Sequence, residues 1–417
     1  MKKVFIIGSG GREHALAHAF SQSTSVGTVY VAPGNPGMMD VAQVVDIRID
    51  DLAGLAHFAR EQGIDLTFVG PEQPLADGIV DVFLEQGLTI FGPRKKAALI
   101  ESSKAFAKSL MSKYHIPTAD YQTFTTVAPA ISYLSQLTAP YVIKADGLAA
   151  GKGVIIAETL AEAEARVEDM LAGNTFGQAG AQVVIEEYLV GEEFSFMAFV
   201  HEEAVYPLIL SKDHKRAFDG DTGPNTGGMG AFAPVDSISQ AVIDQAISTI
   251  LKPTAKAMVS EDRSFTGVLY AGLINTATGP KVIEYNARFG DPETQVILPL
   301  LVGDLYQILV DILASKVPMI HFSSGYALGV VMASQGYPGS YQTGLPIEGL
   351  SAIQEGYVYH SGTALDQTQL VTNGGRVLVV TQLGDTLDQA RERAYTQLGK
   401  ISNQHLFYRK DIGTCQN

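Results

Sequence analysis

The chain has almost no cysteine: the only one among its 417 residues is Cys415, next to the C-terminal end. A single thiol cannot form an intramolecular disulfide, and it cannot build a cysteine metal cluster. Positive charge is also scarce, since 29 Lys and Arg stand against 44 Asp and Glu, a net charge of −15. This balance argues against nucleic acid as the main partner, although local cations and backbone N–H groups can still bind a phosphorylated small molecule.

Long apolar runs are missing as well. No segment reaches the length of a membrane-spanning helix, and the apolar run at Val4–Ile7 is too short for a signal peptide. We therefore expect a monomeric cytoplasmic protein without a membrane or nucleic-acid partner. The length predicts about three domains, and no internal repeat or low-complexity segment is present.

The first part of the chain alternates strand and helix patterns, and the patterns predict helices over residues 76–86 and 97–115. An apolar strand, Lys3–Ile7, runs into a glycine-rich turn and a helix start, and the later strand Leu66–Val69 ends in a Gly-Pro-Glu turn. This alternation predicts a doubly wound parallel sheet, in which ligands bind at the carboxyl ends of the strands. The residues that follow such ends, and that we expect to bind substrate, are Gly10, Gly11, Asn35 and Glu72.

The turn at Gly10 and Gly11 predicts an anion site, because its N–H groups and the helix dipole would point at a phosphate. Glu13 occupies the third glycine position of a dinucleotide fingerprint, so one phosphate is favoured over a dinucleotide. A tight strand-to-helix connection without any ligand explains the turn equally well. Glu72 could hold ribose hydroxyls.

A second glycine-rich loop lies between two apolar strands. It runs from Gly147 to Gly153, after a strand that ends in Lys144. Small residues let a backbone approach phosphates closely, and the two lysines, Lys144 and Lys152, supply positive charge. The loop is not a Walker A motif, since no Gly-Lys-Ser/Thr opens a helix after it.

Polar residues crowd between two apolar stretches near residues 284–295. Glu284 and Asn286 are two apart on a strand pattern, so both side chains point to one face. A carboxylate and an amide oxygen are ligands that Mg²⁺ accepts when phosphates complete its shell. Arg288 is a cation for an anionic substrate group, and Asp291 belongs to the same polar group. The alternative is an edge strand with solvated side chains.

The segment 211–230 is rich in glycine and combines three cations with three aspartates. This mixture suits a small zwitterion, which needs one partner for its carboxylate and one for its ammonium group. From composition alone, a surface loop without a ligand is favoured. The candidates for substrate contact are Asp213, Lys215 and Arg216.

Together these stretches resemble the ATP-grasp superfamily. The resemblance rests on the Tyr-Val-Ile-Lys strand at 141–144, the glycine-rich loop after it, the acidic hinge Glu186–Leu189 with Glu193 beyond it, and the distant Glu284 and Asn286. Longer motifs at 8–15, 70–75, 144–153, 213–230 and 286–295 resemble the branch that ligates glycine to a phosphoribosyl amine. The resemblance covers nearly the whole chain.

The resemblance implies a multidomain α/β and α+β fold. An N-terminal doubly wound parallel-sheet domain, about 1–103, would bind the phosphoribosyl amine. The ATP-grasp region would span about 104–322, with a lid lobe at about 118–190 and a central lobe at about 191–322. A small C-terminal α+β domain, about 323–417, would pack against the first.

The resemblance also implies activity and residue roles. Glycine would be activated by ATP as glycyl phosphate and joined to 5-phospho-β-D-ribosylamine, with Mg²⁺ or Mn²⁺ on Glu284 and Asn286. Lys144, Arg288 and Asp291 would be catalytic, and Arg288 would also bind substrate. The nucleotide-binding residues would be Lys104, Lys144, Gly147, Gly151, Lys152, Gly153, Glu186, Glu187, Tyr188, Leu189 and Glu193.

One departure and two alternatives remain. Many ATP-grasp enzymes carry another metal carboxylate on the strand before Glu284, but residues 267–273 contain none. Another ATP-grasp carboxylate–amine ligase or carboxylase would share most of the motifs. A non-catalytic nucleotide-binding sensor is disfavoured, because it needs neither the glycine-rich loop nor the Glu284 and Asn286 pair.

Overall fold

The computed structural model describes residues 1–148, 153–173, 180–402 and 404–414. Its helices are α1 Gly11–Ser21, α2 Leu52–Gln62, α3 Glu72–Asp77, α4 Ile79–Glu85, α5 Lys95–Ser102, α6 Lys104–Lys113, α7 Val127–Leu134, α8 Leu160–Leu171, α9 Gln240–Ala246, α10 Lys252–Ser260, α11 Thr294–Ile297, α12 Leu305–Leu313 and α13 Leu387–Leu398. In this part of the chain, no helix combines the length and the apolar character that a membrane crossing requires.

The strands are mostly short. They are β1 Lys2–Gly8, β2 Val26–Pro33, β3 Gln43–Val44, β4 Leu66–Val69, β5 Ile90–Phe91, β6 Tyr121–Phe124, β7 Tyr141–Ala145, β8 Val154–Ala157, β9 Val183–Glu186, β10 Glu192–His201, β11 Ala204–Pro207, β12 Lys212–Asp213, β13 Arg216–Phe218, β14 Thr222–Asn225, β15 Gly230–Ala233, β16 Thr266–Thr276, β17 Gly279–Asn286, β18 Leu301–Val302, β19 His321–Phe322, β20 Tyr326–Ser334, β21 Tyr357–His360, β22 Thr363–Asp366, β23 Gln369–Thr372, β24 Arg376–Gly384 and β25 Leu406–Phe407.

The chain divides into two compact units, and each is built from separate stretches. Unit 1 consists of residues 1–92, 208–235 and 288–417, and unit 2 of residues 93–207 and 236–287. The expected domain limits near residues 103 and 322 stay predictions.

Unit 1 contains the predicted doubly wound sheet. Its five strands are parallel and lie in the order β3-β2-β1-β4-β5. Val4 to Ile7 of β1 are completely buried, as expected for the central strand of a parallel sheet that helices cover on both faces. The strand order reverses between β1 and β4, so the carboxyl ends of these two strands form the switch point at which such folds bind ligands.

A second sheet in unit 1 is built from late parts of the chain. Its order is β12-β15-β20-β24-β21, with β25 paired to β20. Val330 and Val380 are central in its core and pack with Ala394 and Leu398 of α13. This sheet brings the 211–230 segment into one unit with strands from the C-terminal hundred residues.

Unit 2 has two antiparallel four-stranded sheets, β11-β10-β16-β17 and β6-β9-β7-β8. In the first, the register slips between β16 and β17. Gly272 pairs with Glu284 and Leu273 with Val282, so Ile283 is the extra residue of a bulge. Bulges re-aim neighbouring side chains and are frequent next to active sites.

Two helix predictions were wrong. A single helix was expected over residues 97–115, but the chain breaks at Ser103, whose hydroxyl accepts the N–H of Phe106 and begins α6. A helix was expected over residues 76–86. Instead α3 begins already at Glu72 and ends at Gly78, whose φ of 99° is a left-handed conformation that favours glycine.

Candidate active site

The glycine-rich turn after β1 encloses a carboxylate from its own helix. Glu13 is buried, its Oε2 accepts the N–H of Gly10 at 2.6 Å, and its Oε1 pairs with Arg12 Nε at 2.5 Å. A side chain at Gly8 or Gly70 would collide with Glu13. The Glu13 carboxylate, which stands at the third glycine position of a dinucleotide fingerprint, therefore accepts one N–H group of the turn at the helix N-terminus.

The N–H of Gly11 is also bonded within unit 1, since it donates to Ser361 Oγ at 3.1 Å. Asn35 is buried, and its amide nitrogen donates to Ser9 O at 2.8 Å and His360 O at 2.9 Å. These contacts are structural. The expected contacts of Gly10, Gly11 and Asn35 with substrate stay predictions.

Glu72 and Arg288 come together at the switch point. Arg288 Nε lies 3.4 Å from Glu72 Oε2, and Arg12 donates to Phe289 O at 3.1 Å. Burial opposes the charge on Glu72, but Arg288 and Arg12 outweigh it and hold the pKa of Glu72 below its usual value. The site therefore offers an ionised carboxylate beside two cations, which suits a sugar hydroxyl next to a phosphate.

Asp291 lies in the same unit and is paired with Arg376. Arg376 Nη2 is 3.3 Å from Asp291 Oδ2, and Gln295 donates to Asp291 Oδ1 at 2.6 Å. Burial disfavours the charged form, but Arg376 and Arg12 lower the pKa of Asp291 overall. An ionised, hydrogen-bonded carboxylate of this kind orients its neighbours.

The 211–230 segment contains more regular structure than its composition suggests. Lys212 and Asp213 form β12, which pairs with β15, and Arg216 begins the hairpin of β13 and β14. His214 is buried between Asp213 and Lys215 along the chain. Burial, with a further contribution from Arg409, lowers the pKa of His214 to about 4, so its ring is neutral at pH 7.

Unit 2 gathers its charge around Glu186. Lys108 Nζ lies 2.8 Å from Glu186 Oε2, and Lys144 Nζ lies 2.9 Å from Glu186 Oε1. Lys144 stands on β7 and Glu186 on the antiparallel neighbour β9, two residues past the partner of Lys144, so the two side chains meet diagonally. All three side chains are buried. Lys144, which is expected to bind phosphate, is therefore held beside Glu186, which is expected to bind adenine.

The same cluster reaches the strand that carries the expected metal ligands. Lys144 Nζ donates to Ile283 O at 2.9 Å, at the bulge that directly precedes Glu284. Lys108 Nζ donates to Thr118 Oγ1 at 2.8 Å, and that hydroxyl donates to Val282 O at 2.7 Å. The two lysines are thus hydrogen-bonded to backbone carbonyls of β17, Lys144 directly and Lys108 through the Thr118 hydroxyl.

Lys104 opens α6 and faces the glycine-rich loop. Its Nζ donates to Gly147 O at 3.3 Å, while Asp146 accepts the N–H of Ala105 at 2.6 Å. Burial lowers the pKa of Lys104, Glu284 opposes the shift, and Lys144 adds to it. Gly153 is described and its carbonyl accepts the N–H of Ala145 at 2.8 Å, but Gly151 and Lys152 lie outside the described residues.

The expected adenine hinge follows β9. Residues 187–190 have no regular structure, the N–H of Glu187 donates to Asp120 O at 2.8 Å, and Tyr188 is exposed. Glu193 lies on β10 opposite Ile274 of β16. Residues 187–190 thus form an exposed segment next to the buried carboxylate of Glu186, and this arrangement suits the binding of a planar base.

Glu284 and Asn286 lie two residues apart at the end of β17, and Asn286 is the last residue of the strand. Gly272 lies opposite Glu284, and Tyr270 lies opposite Asn286. A side chain at Gly272 would come within 3.3 Å of Glu284 Cγ, so glycine leaves room for the carboxylate. The pair offers two oxygen donors on one face, and both residues are only half-buried.

This donor set fits a divalent cation whose other ligands are phosphate oxygens. Within the described residues, no group of three or more His, Cys, Asp or Glu side chains is arranged to hold a metal by itself. The strand before β17, β16, carries no carboxylate in residues 267–273, as the sequence indicated. A cation at this site would depend on the nucleotide.

Sequence reasoning missed several members of these clusters. Glu13 could have been found, because a carboxylate three residues after a helix cap is a capping-box signal. Lys108 could have been found as well, since it lies one helical turn after Lys104. Arg376 and Arg409 carried no sequence signal, because their partners are distant along the chain.

Comparison with solved structures agrees with this geometry. The biotin carboxylase domain of a 2-oxoglutarate carboxylase from Hydrogenobacter thermophilus superposes with a TM-score of 0.72 over 97% of this chain and 91% of that one, at 16% identity, which shows a common fold alone. Residues 102–294 match the ATP-grasp (A) domain of phosphoribosylglycinamide synthetase. The fold and the site thus define an ATP-grasp ligase, a class whose members use ATP and generally a divalent metal.

The N and C domains of the same family match residues 2–101 and 327–415. The chain belongs to the phosphoribosylglycinamide synthetase family, as its motifs predicted. It is 55% identical over 412 residues to the phosphoribosylamine–glycine ligase of Halalkalibacterium halodurans, covering 99% of this chain and 96% of that one. The enzyme of that name from Escherichia coli is 52% identical over 419 residues, covering 99% and 98%.

A solved structure extends the agreement to the whole fold. The crystal structure of phosphoribosylamine–glycine ligase from Thermotoga maritima superposes with a TM-score of 0.87 at 33% identity, and the match covers 98% of this chain and 100% of that chain. These comparisons confirm the predicted family, fold class and type of enzyme.

Proposed function

We propose that the chain catalyses the ATP-dependent ligation of glycine to 5-phospho-β-D-ribosylamine, a step of purine biosynthesis that yields glycinamide ribonucleotide, ADP and phosphate. The observation that carries the proposal is the match to ligases of that name over 99% of this chain. The charge cluster of unit 2 suits a nucleotide, and the charge cluster of unit 1 suits a phosphorylated sugar. Both clusters therefore support the proposal.

We assign the nucleotide to unit 2. Lys104 and Lys144 bind the phosphates of ATP. The ammonium group of Lys104 lies near the start of the glycine-rich loop, and that of Lys144 lies near the end of β17. Glu186 and the backbone of residues 187–189 bind adenine, and Glu193 binds the ribose. Each oxygen of Glu186 lies within 2.9 Å of a lysine Nζ, so the two lysines hold the carboxylate in place.

Glu284 and Asn286 are the residues that would hold Mg²⁺ or Mn²⁺ in unit 2. When bound, that cation neutralises charge on the phosphates. The bulge at Ile283 and the glycine at position 272 give Glu284 its direction and its space. The carbonyl of Ile283 receives the ammonium group of Lys144, which keeps that cation close to the same strand end.

We assign phosphoribosylamine and glycine to unit 1. Glu72 accepts hydrogen bonds from the ribose, and Arg288 faces an anionic group of the substrate, because the two side chains pair at the switch point of the sheet. The 211–230 segment binds glycine through Asp213, Lys215 and Arg216. Asp291 is held ionised by Arg376 and orients this region.

The reaction then requires two displacements. A carboxylate oxygen of glycine attacks the γ-phosphorus of ATP, the bond to the β,γ-bridging oxygen breaks, and ADP leaves. The amine of phosphoribosylamine next attacks the acyl carbon of glycyl phosphate, the bond to the phosphate oxygen breaks, and the amine loses a proton. The protein contributes position and charge, as is usual in phosphoryl transfer. Lys144 and Arg288 offset the developing negative charge.

The test is release of ADP from ATP and Mg²⁺, with glycine, with freshly prepared phosphoribosylamine, and with both. We expect release that depends on both substrates. ADP release with another carboxylate or amine, but not with these two, would indicate a different ATP-grasp ligase or carboxylase. Binding of ATP without release under any condition would indicate a nucleotide-binding sensor. The cytoplasmic location and the monomeric state stay predictions from the sequence.

A further inference from the structure

The 211–230 segment is held in place by residues far from it in sequence. Pairing of β12 with β15 anchors its base, and the N–H of Met229 donates to His214 O at 2.7 Å. The hairpin of β13 and β14 extends from this base. Two arginines from the C-terminal part of unit 1 bind the hairpin and the glycines that follow it.

Arg409 binds the hairpin. Its guanidinium forms a bidentate pair with Asp411, at 2.8 Å and 2.7 Å, and its Nη1 donates to Arg216 O at 3.0 Å and Asp221 Oδ1 at 2.7 Å. The side chain of Arg409 is 1% exposed, although it carries a permanent charge. One buried fork therefore connects the first strand and the turn of the hairpin to the C-terminal segment.

The neighbours of Arg409 add two bonds to the tip of the hairpin. The N–H of Lys410 donates to Asp219 Oδ1 at 2.7 Å, and the N–H of Gly220 donates to Asp411 Oδ2 at 2.8 Å. Burial opposes the charge on Asp411, but Arg409 lowers the pKa of Asp411 to about 2. The carboxylate is ionised at every pH at which the enzyme would work.

Arg376 binds the other end of the segment. Its Nη1 donates to Gly227 O at 2.7 Å and to Asp291 O at 2.6 Å, and its Nη2 pairs with the Asp291 carboxylate. The N–H of Gly227 donates to the hydroxyl of Tyr337 at 3.0 Å. Gly228 has a φ of 114° and lies against Pro292, where a side chain would collide. The segment is thereby fixed to the stretch that holds Asp291.

Stability alone explains these arginines poorly. Burying an ion pair costs so much desolvation that well-packed apolar residues often stabilise a protein as much or more. An arginine fork, in contrast, fixes several partners in defined directions. Arg376 and Arg409 each bond the backbone of the 211–230 segment and a carboxylate, so they determine its conformation.

We propose that Arg376 and Arg409 are positioning residues that hold the 211–230 segment in the conformation that receives glycine. The inference rests on the proposed function. The C-terminal part of the chain thus contributes to glycine affinity without contacting glycine, beyond the packing role that its sequence suggested.

Arg409→Met and Arg376→Met test the proposal in the full-length protein. We expect the KM for glycine to rise about tenfold or more, because glycine binding must then order the segment. The KM for ATP should stay within about threefold of the wild type in both variants, and the kcat at saturating glycine should do so in Arg409→Met. Trypsin should cut faster after Lys215 and Arg216 in Arg409→Met. Arg376→Lys should restore part of the glycine affinity, since it keeps the charge.

The matched control is Arg393→Met. Arg393 is an exposed arginine of α13 that donates to Leu383 O at 2.9 Å, away from the 211–230 segment. The Arg393→Met substitution should leave the KM for each substrate unchanged. Should Arg409→Met fail to fold, Asp221→Asn removes one partner of Arg409 from a side chain that is 46% exposed, and a rise of about threefold in the KM for glycine is expected.

A KM for glycine within about twofold of the wild type in the folded variants would overturn the proposal. An equal loss for glycine and ATP would overturn it as well, because it would indicate general destabilisation. The wild type in the same assay separates this inference from the proposed function. If the wild type does not use glycine, the proposed function fails. If it does, and the variants keep its affinity, only the positioning role fails.

Discussion

Unit 2 places its buried positive charge on lysines, whereas unit 1 places it on arginines. In unit 2, Lys108 and Lys144 share the carboxylate of Glu186. In unit 1, Arg376 and Arg409 each bond a carboxylate and the backbone of a distant segment. A lysine is a point charge on a long stem, but an arginine is a rigid fork with five donors.

The difference bears on the ligand that we propose for each unit. An ammonium group in unit 2 can exchange a protein oxygen for a phosphate oxygen with little rearrangement. The forks of unit 1 cannot release one partner without disturbing the others. We therefore expect variants in unit 2 to affect catalysis and nucleotide use, and variants in unit 1 to affect the affinity for substrate.

The largest effect is expected from Glu284→Ala in unit 2. Loss of the carboxylate should lower kcat about 10³-fold, because a bound cation contributes several kcal/mol to charge stabilisation in the transition state. Steady-state ADP release measures it, and circular dichroism should show an unchanged fold. The control Glu261→Ala removes a partly exposed carboxylate of the same unit that pairs with Lys113. A Glu284→Ala enzyme with near wild-type kcat would contradict the metal assignment.

The next effect is expected from Lys108→Met. Removing one partner of a buried ion pair costs about 3 kcal/mol or more, since Glu186 keeps only Lys144. The melting temperature should fall and the KM for ATP should rise, with the KM for glycine unchanged. Lys113→Met, which breaks an exposed pair, is the control and should leave the melting temperature unchanged. A rise in the KM for glycine instead would remove the contrast between the units.

A smaller effect is expected from Glu72→Gln in unit 1. Loss of a charge-assisted hydrogen bond to the ribose should raise the KM for phosphoribosylamine about tenfold and leave the KM for ATP unchanged. Asp77→Asn is the control, because it changes an exposed carboxylate of the same short helix. An unchanged KM for phosphoribosylamine in Glu72→Gln would argue against the ribose assignment.

The smallest effect concerns pH. The pKa of His14 falls from 6.5 to about 3, mainly through burial and then through His360 and His18. The unfolded chain therefore binds more protons than the folded chain between pH 3 and 6.5. The stabilisation that the neutral His14 contributes is complete above pH 6.5 and is lost progressively as the pH falls below that value.

His14→Asn keeps an acceptor where His14 Nδ1 accepts the N–H of His360 at 2.9 Å, but it removes the titration. We expect the melting temperature of this variant to depend less on pH between 4.5 and 6 than that of the wild type. An equal pH dependence in both proteins would show that His14 is not the group responsible.

Much of the site was predictable from local pattern. Glu284 and Asn286 were expected on one face of a strand because alternate residues of a strand share a face, and β17 ends at Asn286. The doubly wound sheet was expected from the alternation of strands and helices, and the order of β1 to β5 confirms it. Both predictions depend on rules that act within a few residues.

Other features could not be predicted in this way. The break at Ser103 was missed because the flanking segments are both good helix formers, and the hydrogen bonds of Asp146 at the start of α6 decide the boundary. The N–H groups of Gly10 and Gly11 donate to Glu13 and Ser361, and Ser361 is 350 residues away from Gly11 in sequence. The expected contact of this turn with a phosphate stays a prediction.

The sequence by itself determined the family, the parallel sheet and the types of residue in each candidate site. It could do so because periodicity, glycine-rich turns and the chemistry of single side chains are local properties. Only the tertiary structure decided which charge pairs with which. Lys144 meets the bulge at Ile283, and Arg409 meets the hairpin at Arg216, because sheet register and packing bring together backbone carbonyls and side chains that no sequence spacing connects.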